Sequence, residues 1–90
     1  MFCIVFYSEC WIKTEGVQGI DGISIRRRSQ RGCVESCTTE SGCVAVDFHY
    51  NSNRCMILTS TKTEPIPTES GKKLIEHYER IPDCKDKPRS

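Results

Sequence analysis

The clearest pattern of apolar and polar positions lies in the middle of the chain. Apolar residues stand at every second position from Val44 to Tyr50, which places them on one face of a β-strand. The turn-forming sequence Asn-Ser-Asn follows at residues 51–53, and the run from Arg54 to Leu58 is again largely apolar. Residues 43–58 are therefore predicted to form a β-hairpin.

A short helix is predicted just before this hairpin. Ser29 can accept a hydrogen bond from a free backbone N–H of a first helical turn, and no proline interrupts the segment up to Thr38. Further upstream, Ile-Ser-Ile-Arg at residues 23–26 alternates apolar and polar residues, as a half-buried strand does. The central part of the chain thus predicts a strand, a helix and a hairpin in succession.

The flanking segments are less regular. Residues 59–72 are rich in Thr, Ser and Pro and are predicted to form a surface loop, whereas residues 73–80 fit the spacing of a helix and of a strand equally well. Residues 1–9 are too short to span a membrane and lack a basic start. They are interpreted as an edge strand, the remnant of a leader sequence or a segment added for expression. Residues 85–90 form a charged tail.

Composition limits the classes of protein that this chain can represent. Its 90 residues suffice for one domain and leave no room for a two-domain enzyme. The formal net charge is only +1, so no overall field favours nucleic acid as a partner. Seven cysteines are typical of a secreted or extracellular domain held together by disulfide bonds.

The spacing of the cysteines favours crosslinks between the helix and the hairpin. Cys33 and Cys37 are four residues apart, so both side chains project from one stripe of the predicted helix. Cys43 and Cys55, in the hairpin, are the partners within reach. One arrangement pairs Cys37 with Cys43 and Cys33 with Cys55, which leaves Cys10 and Cys84 to connect the two ends of the domain.

These residues resemble the PAN/Apple domain family. The resemblance rests on the pattern Cys33-x3-Cys37-x5-Cys43-Val-Ala-Val-Asp-Phe, followed by Cys55-Met-Ile-Leu and bracketed by Cys10 and Cys84. Val46 departs from the family pattern, which commonly has an aromatic residue at this position. The resemblance covers residues 10–84 and implies the same three disulfide pairs. It also implies an α+β fold in which one short helix packs on a mainly antiparallel sheet.

The same region of the chain allows two other chemical interpretations. Cys33, Cys37, Cys43 and His49 could form a zinc site, but their spacing lacks the paired knuckles that zinc modules usually show. Asp47 and His49, near Ser41 and Ser52, could suggest a catalytic triad, but no nucleophile elbow accompanies them. Asp47 and His49 are expected to face solvent or, for Asp47, to hold a turn, and His77 is expected to be partly exposed. We therefore expect no metal, no cofactor and no enzymatic activity.

The densest cluster of like charge is formed by arginines. Four arginines lie within six residues: Arg26, Arg27, Arg28 and Arg31. The single acidic residue nearby, Glu35, cannot neutralise all four positive charges. Arginine binds sulfate groups through charge-assisted and often bidentate hydrogen bonds. A weak affinity for glycosaminoglycan is one prediction, and a solvated surface balanced by nearby glutamates is the alternative.

The resemblance implies a function in recognition outside the cell. PAN/Apple modules bind proteins or carbohydrates within larger proteins such as clotting proenzymes and parasite adhesins. The alternatives are a structural or oligomerising unit of a matrix or mucus protein and a non-catalytic module of a proenzyme. Since six cysteines are assigned within the domain, Cys3 is left over, and it is predicted to remain free or to join two chains in a disulfide-linked dimer.

Overall fold

A computed structural model describes residues 2–6 and 9–81 of the chain, and side chains from residue 10 onward. It contains eight strands and two helices in these ranges. In chain order they are β1 (Phe2–Phe6), β2 (Glu9–Thr14), β3 (Val17–Gly19), β4 (Ile23–Arg26), α1 (Gln30–Thr39), β5 (Ala45–His49), β6 (Arg54–Leu58), β7 (Thr63–Pro65), α2 (Glu69–Leu74) and β8 (Ile75–Ile81).

Six strands form one sheet in the order β1-β2-β8-β5-β6-β4. All of its strand pairs are antiparallel, and β5 and β6 form the predicted hairpin, with Val46 opposite Ile57. The predicted α+β fold and the hairpin are confirmed. Residues 2–6 form an edge strand, in which Cys3 lies opposite Ile12 of β2.

The helix α1 covers one face of this sheet. Ser29 caps α1 as predicted, because its Oγ accepts a hydrogen bond from the backbone N–H of Gly32 at 3.1 Å. The buried face of α1 packs on a core that includes Trp11, Phe48 and Tyr78. Apolar residues at alternate positions of β5 therefore face the helix, as their spacing predicts.

A second layer covers the opposite face of the sheet. Strands β3 and β7 form a separate two-stranded antiparallel ribbon, and β3 packs against β5 and β8. The ribbon lies so close that a Cβ atom at Gly19 would overlap the side chain of Leu58, which is fully buried. Strand β5 is consequently buried on both faces, although only one of its faces is apolar.

The segment after the hairpin is more structured than predicted. Residues 59–72 were expected to form a loop, but they contain β7 and the start of α2, which Thr68 caps by accepting a hydrogen bond from Gly71 N at 3.0 Å. The ambiguous segment 73–80 divides into both structures: Leu74 ends α2, and β8 begins at Ile75. The sequence pattern did not predict α2, because this helix spans only six residues and none of them is buried.

Two disulfide bonds join α1 to the hairpin and to the segment that leads into it. Cys33 is bonded to Cys55, with a Cα–Cα separation of 5.4 Å, and Cys37 is bonded to Cys43, with a separation of 5.3 Å. The chain-entropy model assigns roughly 3.4 and 2.4 kcal/mol to loops of these lengths taken singly, and less to the nested pair. Cys10 is also disulfide-bonded, and its predicted partner Cys84 lies outside the described residues.

Candidate functional site

The four arginines singled out in the sequence lie where β4 leads into α1. Arg26 ends β4, Arg27 and Arg28 form the connection, and Arg31 lies in the first turn of the helix, all of them exposed. The first turn of α1 contains no acidic residue. Because the N-terminus of a helix carries partial positive charge, this arrangement adds to the positive potential of the arginines.

Arg27 has fewer free hydrogen-bond donors for a ligand than Arg26 and Arg28 have, because protein acceptors occupy part of its guanidinium group. Its Nε donates a hydrogen bond to Ser36 Oγ at 2.7 Å, and its Nη1 donates to the carbonyl oxygen of Arg26 at 2.6 Å. Its backbone N–H donates to the carbonyl oxygen of Asn53 in the hairpin turn, at 2.9 Å. Arg27 therefore connects β4, α1 and the hairpin turn.

The structure adds a fifth arginine that sequence reasoning missed. In the pairing of β4 with β6, Arg54 lies directly opposite Arg26, and both are exposed. Like charges that face each other across an antiparallel pair are destabilising. Only the register of β4 against β6 identifies Arg54, because 27 intervening residues separate it from Arg26 in the sequence.

Together these side chains form what we call the arginine surface, which consists of Arg26, Arg27, Arg28, Arg31 and Arg54. Arg26, Arg27 and Arg28 line a groove of about 270 Å³ with Asn53. Among the described residues, no carboxylate lies within salt-bridge distance of Arg26, Arg28 or Arg54. The surface therefore presents several guanidinium groups whose hydrogen-bond donors can bind an anion.

His49 borders this surface, because it lies opposite Arg54 across the hairpin. Burial lowers the pKa of His49, and the positive charge of Arg54 acts in the same direction, while Asp47 acts against both. His49 is consequently neutral at physiological pH. It adds no permanent charge to the arginine surface.

The residues of the alternative zinc interpretation do not come together. Cys33, Cys37 and Cys43 all lie in disulfide bonds, so none of them provides a thiolate. His49 belongs to the face of β5 that points away from α1. Within the described part of the chain, no three histidine, cysteine or acidic side chains are arranged to hold a metal ion.

Asp47 and His77 lie in the interior, whereas Asp47 was expected to face solvent or to hold a turn and His77 to be partly exposed. Asp47 Oδ1 is 2.6 Å from Nδ1 of His77, and Glu79 Oε2 is 3.1 Å from Nε2 of the same ring. Both Asp47 and His77 are almost completely buried, because the β3–β7 ribbon covers this face of the sheet. The expected positions were wrong because the sequence does not reveal this second layer.

The buried group of Asp47, His77 and Glu79 joins β5, β8 and the β3–β7 ribbon. Burial by itself would lower the pKa of His77, but the hydrogen bonds and charges of Asp47 and Glu79 outweigh it and raise that pKa above its ordinary value. Both ring nitrogens face a carboxylate, so neither is free to accept a proton from a nucleophile. Asp47 Oδ2 also accepts a hydrogen bond from the backbone N–H of Gly19 at 2.7 Å. This hydrogen bond connects the ribbon to the sheet.

Comparison with known proteins identifies the family. No helix in residues 9–81 is long and apolar enough to cross a membrane. No curated protein and no solved structure matches the chain significantly. The family model of the PAN domain matches residues 10–84, which include all six cysteines of the predicted framework. Because this match covers most of its length, the chain belongs to the PAN domain family.

Proposed function

We propose that this domain is an extracellular recognition module that binds a sulfated polyanion of the glycosaminoglycan class through its arginine surface. PAN domains are generally non-catalytic modules that bind proteins or carbohydrates in extracellular proteins. The observation that supports a polyanion in particular is the exposed, unneutralised pair formed by Arg26 and Arg54 next to Arg28.

This arrangement of arginines costs stability unless an anion is bound. Two arginines directly opposite each other repel, and cations near the start of α1 oppose its dipole. A chain of sulfate groups would relieve both effects at once, because each guanidinium can donate two parallel hydrogen bonds to one sulfate. A neutral glycan would relieve neither, so the charge of the ligand determines the binding.

The disulfide framework supports the proposed location. Cys33–Cys55 and Cys37–Cys43 are buried in the core, and such bonds persist in oxidising compartments outside the cytosol. A secreted or cell-surface domain would meet sulfated polysaccharide there.

Affinity for heparin, measured by isothermal titration over a series of salt concentrations, tests this function. We expect Arg28→Gln and Arg54→Gln each to weaken binding several-fold and the double variant to weaken it further, because each change removes one charge-assisted contact. The dependence of affinity on salt should also become shallower in these variants.

Lys62→Gln is the matched control, since it removes one exposed positive charge from the loop before β7, away from the arginine surface. This variant should bind like the unmodified protein. The proposal is wrong if heparin fails to bind at about 0.15 M salt, or if Lys62→Gln weakens binding as much as Arg28→Gln.

A further inference from the structure

A second cavity lies between the last turn of α2 and the start of the hairpin turn. We call it the lysine–tyrosine cleft; it is lined mainly by Lys13, Glu15, Tyr50, Lys72, Lys73 and Glu76. It shares no lining residue with the groove of the arginine surface. Its volume of about 230 Å³ is below the roughly 300 to 1,000 Å³ of typical sites for drug-sized ligands, so it admits one ring-sized group.

Glu76 provides a fixed, charged floor for this cleft. Its carboxylate accepts hydrogen bonds from Lys13 Nζ at 2.8 Å and from the Tyr78 hydroxyl at 2.5 Å, and it is also hydrogen-bonded to Tyr50. Burial would raise the pKa of Glu76, but these hydrogen bonds and the charge of Lys13 lower it overall. Glu76 therefore stays ionised, and its oxygen atoms are occupied by protein donors.

Tyr50 forms one wall of the cleft and is held in position on several sides. Its ring packs edge-on against Phe48, with centroids 5.3 Å apart, and its hydroxyl accepts a hydrogen bond from Gln30 Nε2 at 3.4 Å. Burial and the hydrogen bond to Glu76 raise the pKa of Tyr50 to about 12, so the hydroxyl remains protonated. The side chain is still 41% exposed, which leaves a fixed aromatic surface open to a ligand.

Two lysines at the end of α2 supply positive charge at the opening. Lys73 is exposed, and no carboxylate in the described part of the chain lies within salt-bridge distance of it. Lys72 is 3.4 Å from Glu69 in an exposed pair, and such pairs contribute little stability. Both ammonium groups can therefore bind an anion at low cost.

We propose that the lysine–tyrosine cleft binds one acidic sugar residue, a pyranose ring that carries a carboxylate. The ring would pack on Tyr50, and its carboxylate would accept hydrogen bonds from Lys72 and Lys73. The exposed carboxylate of Glu15 is an acceptor for the ring hydroxyls, which favours a sugar over an apolar aromatic acid. The proposal is independent of the arginine surface, because the two sites have no residue in common.

Titration of the isotope-labelled domain with methyl β-glucuronide, followed by NMR, tests this site. We expect saturable shifts of the backbone amides of Tyr50, Lys72, Lys73 and Glu76, with millimolar affinity. Methyl β-glucoside, which has the same ring without the carboxylate, should bind about tenfold or more weakly, because a hydrogen bond to a charged group is lost. Benzoate, which has the carboxylate without the hydroxyls, should also bind more weakly.

Substitutions then distinguish this cleft from the arginine surface. Lys73→Gln and Tyr50→Leu should each weaken glucuronide binding about tenfold, whereas Lys62→Gln and Arg28→Gln should leave it unchanged. Since Lys73 is exposed, its variant should fold normally even if Tyr50→Leu does not. Absence of saturable shifts, equal binding of the glucoside or benzoate, or loss of binding in Arg28→Gln but not in Lys73→Gln would overturn the proposal.

Discussion

Replacement of Asp47 should strongly destabilise the domain. In Asp47→Ala, the imidazole of His77 loses its closest partner, at 2.6 Å, and the N–H of Gly19 loses its acceptor, at 2.7 Å. His77 stays covered by the β3–β7 ribbon, where water replaces the lost contact poorly, and the N–H of Gly19 loses its acceptor at the partly buried junction of ribbon and sheet.

The expected loss is a large part of the total stability. Breaking a buried charged pair by removing one partner costs about 3 to 5 kcal/mol, whereas a whole domain is stable by about 5 to 15 kcal/mol. For a domain of this size, each kcal/mol corresponds to roughly 4 to 8 °C in melting temperature, so the midpoint should fall by more than about 12 °C. Glu79→Gln is the matched control and should cost less than about 1 kcal/mol, because the Glu79 side chain is 31% exposed.

Asp47→Asn tests the electrostatic part separately, because it keeps the size of the side chain. In the unmodified protein the pKa of His77 is raised, so its contribution to stability is complete below the unfolded pKa of about 6.5 and is lost as pH rises through the folded pKa. Without the charge of Asp47, only Glu79 opposes the effect of burial, so the pKa of His77 should fall relative to that in the unmodified protein. The gain in stability toward low pH should therefore be smaller in the variant than in the unmodified protein.

Chemical denaturation at several pH values, with the disulfides intact, measures these effects. The single tryptophan, Trp11, is fully buried and reports unfolding by fluorescence. The reasoning is refuted if Asp47→Ala costs no more than Glu79→Gln. It is also refuted if Asp47→Asn shows the pH dependence of the unmodified protein.

Three further outcomes are expected. Gly19→Ala should cost about 1 to 3 kcal/mol in denaturant unfolding by overpacking against Leu58, and Leu58→Val should recover part of that loss; additive costs would contradict the close contact. Non-reducing peptide mapping should recover Cys10 joined to Cys84, and a peptide joining Cys10 to Cys3 would contradict the pairing. Cys3→Ser should leave the thermal midpoint nearly unchanged and abolish any disulfide-linked dimer on a non-reducing gel, whereas a large loss of stability would place Cys3 within the internal framework.

The elements that the sequence predicted are those with strong local signals. The hairpin follows from alternating apolar residues on either side of an Asn-Ser-Asn turn, and α1 follows from the cap at Ser29. The spacing of Cys33 and Cys37 on one helical stripe, together with the family resemblance, indicated the two disulfides that crosslink α1. In each case residues close together in the chain carry the information.

Long-range packing determined the rest. Asp47 and His77 were not expected in the interior because both side chains are polar, and only the ribbon of β3 and β7 buries them. Arg54 belongs to the arginine surface because the pairing of β4 with β6 places it opposite Arg26. The lysine–tyrosine cleft is formed by residues from β2, the hairpin turn, α2 and β8. By itself the sequence determined the local elements and indicated the two disulfides that crosslink α1. Only the tertiary structure decided which polar side chains meet, because those contacts join strands that are distant in the chain.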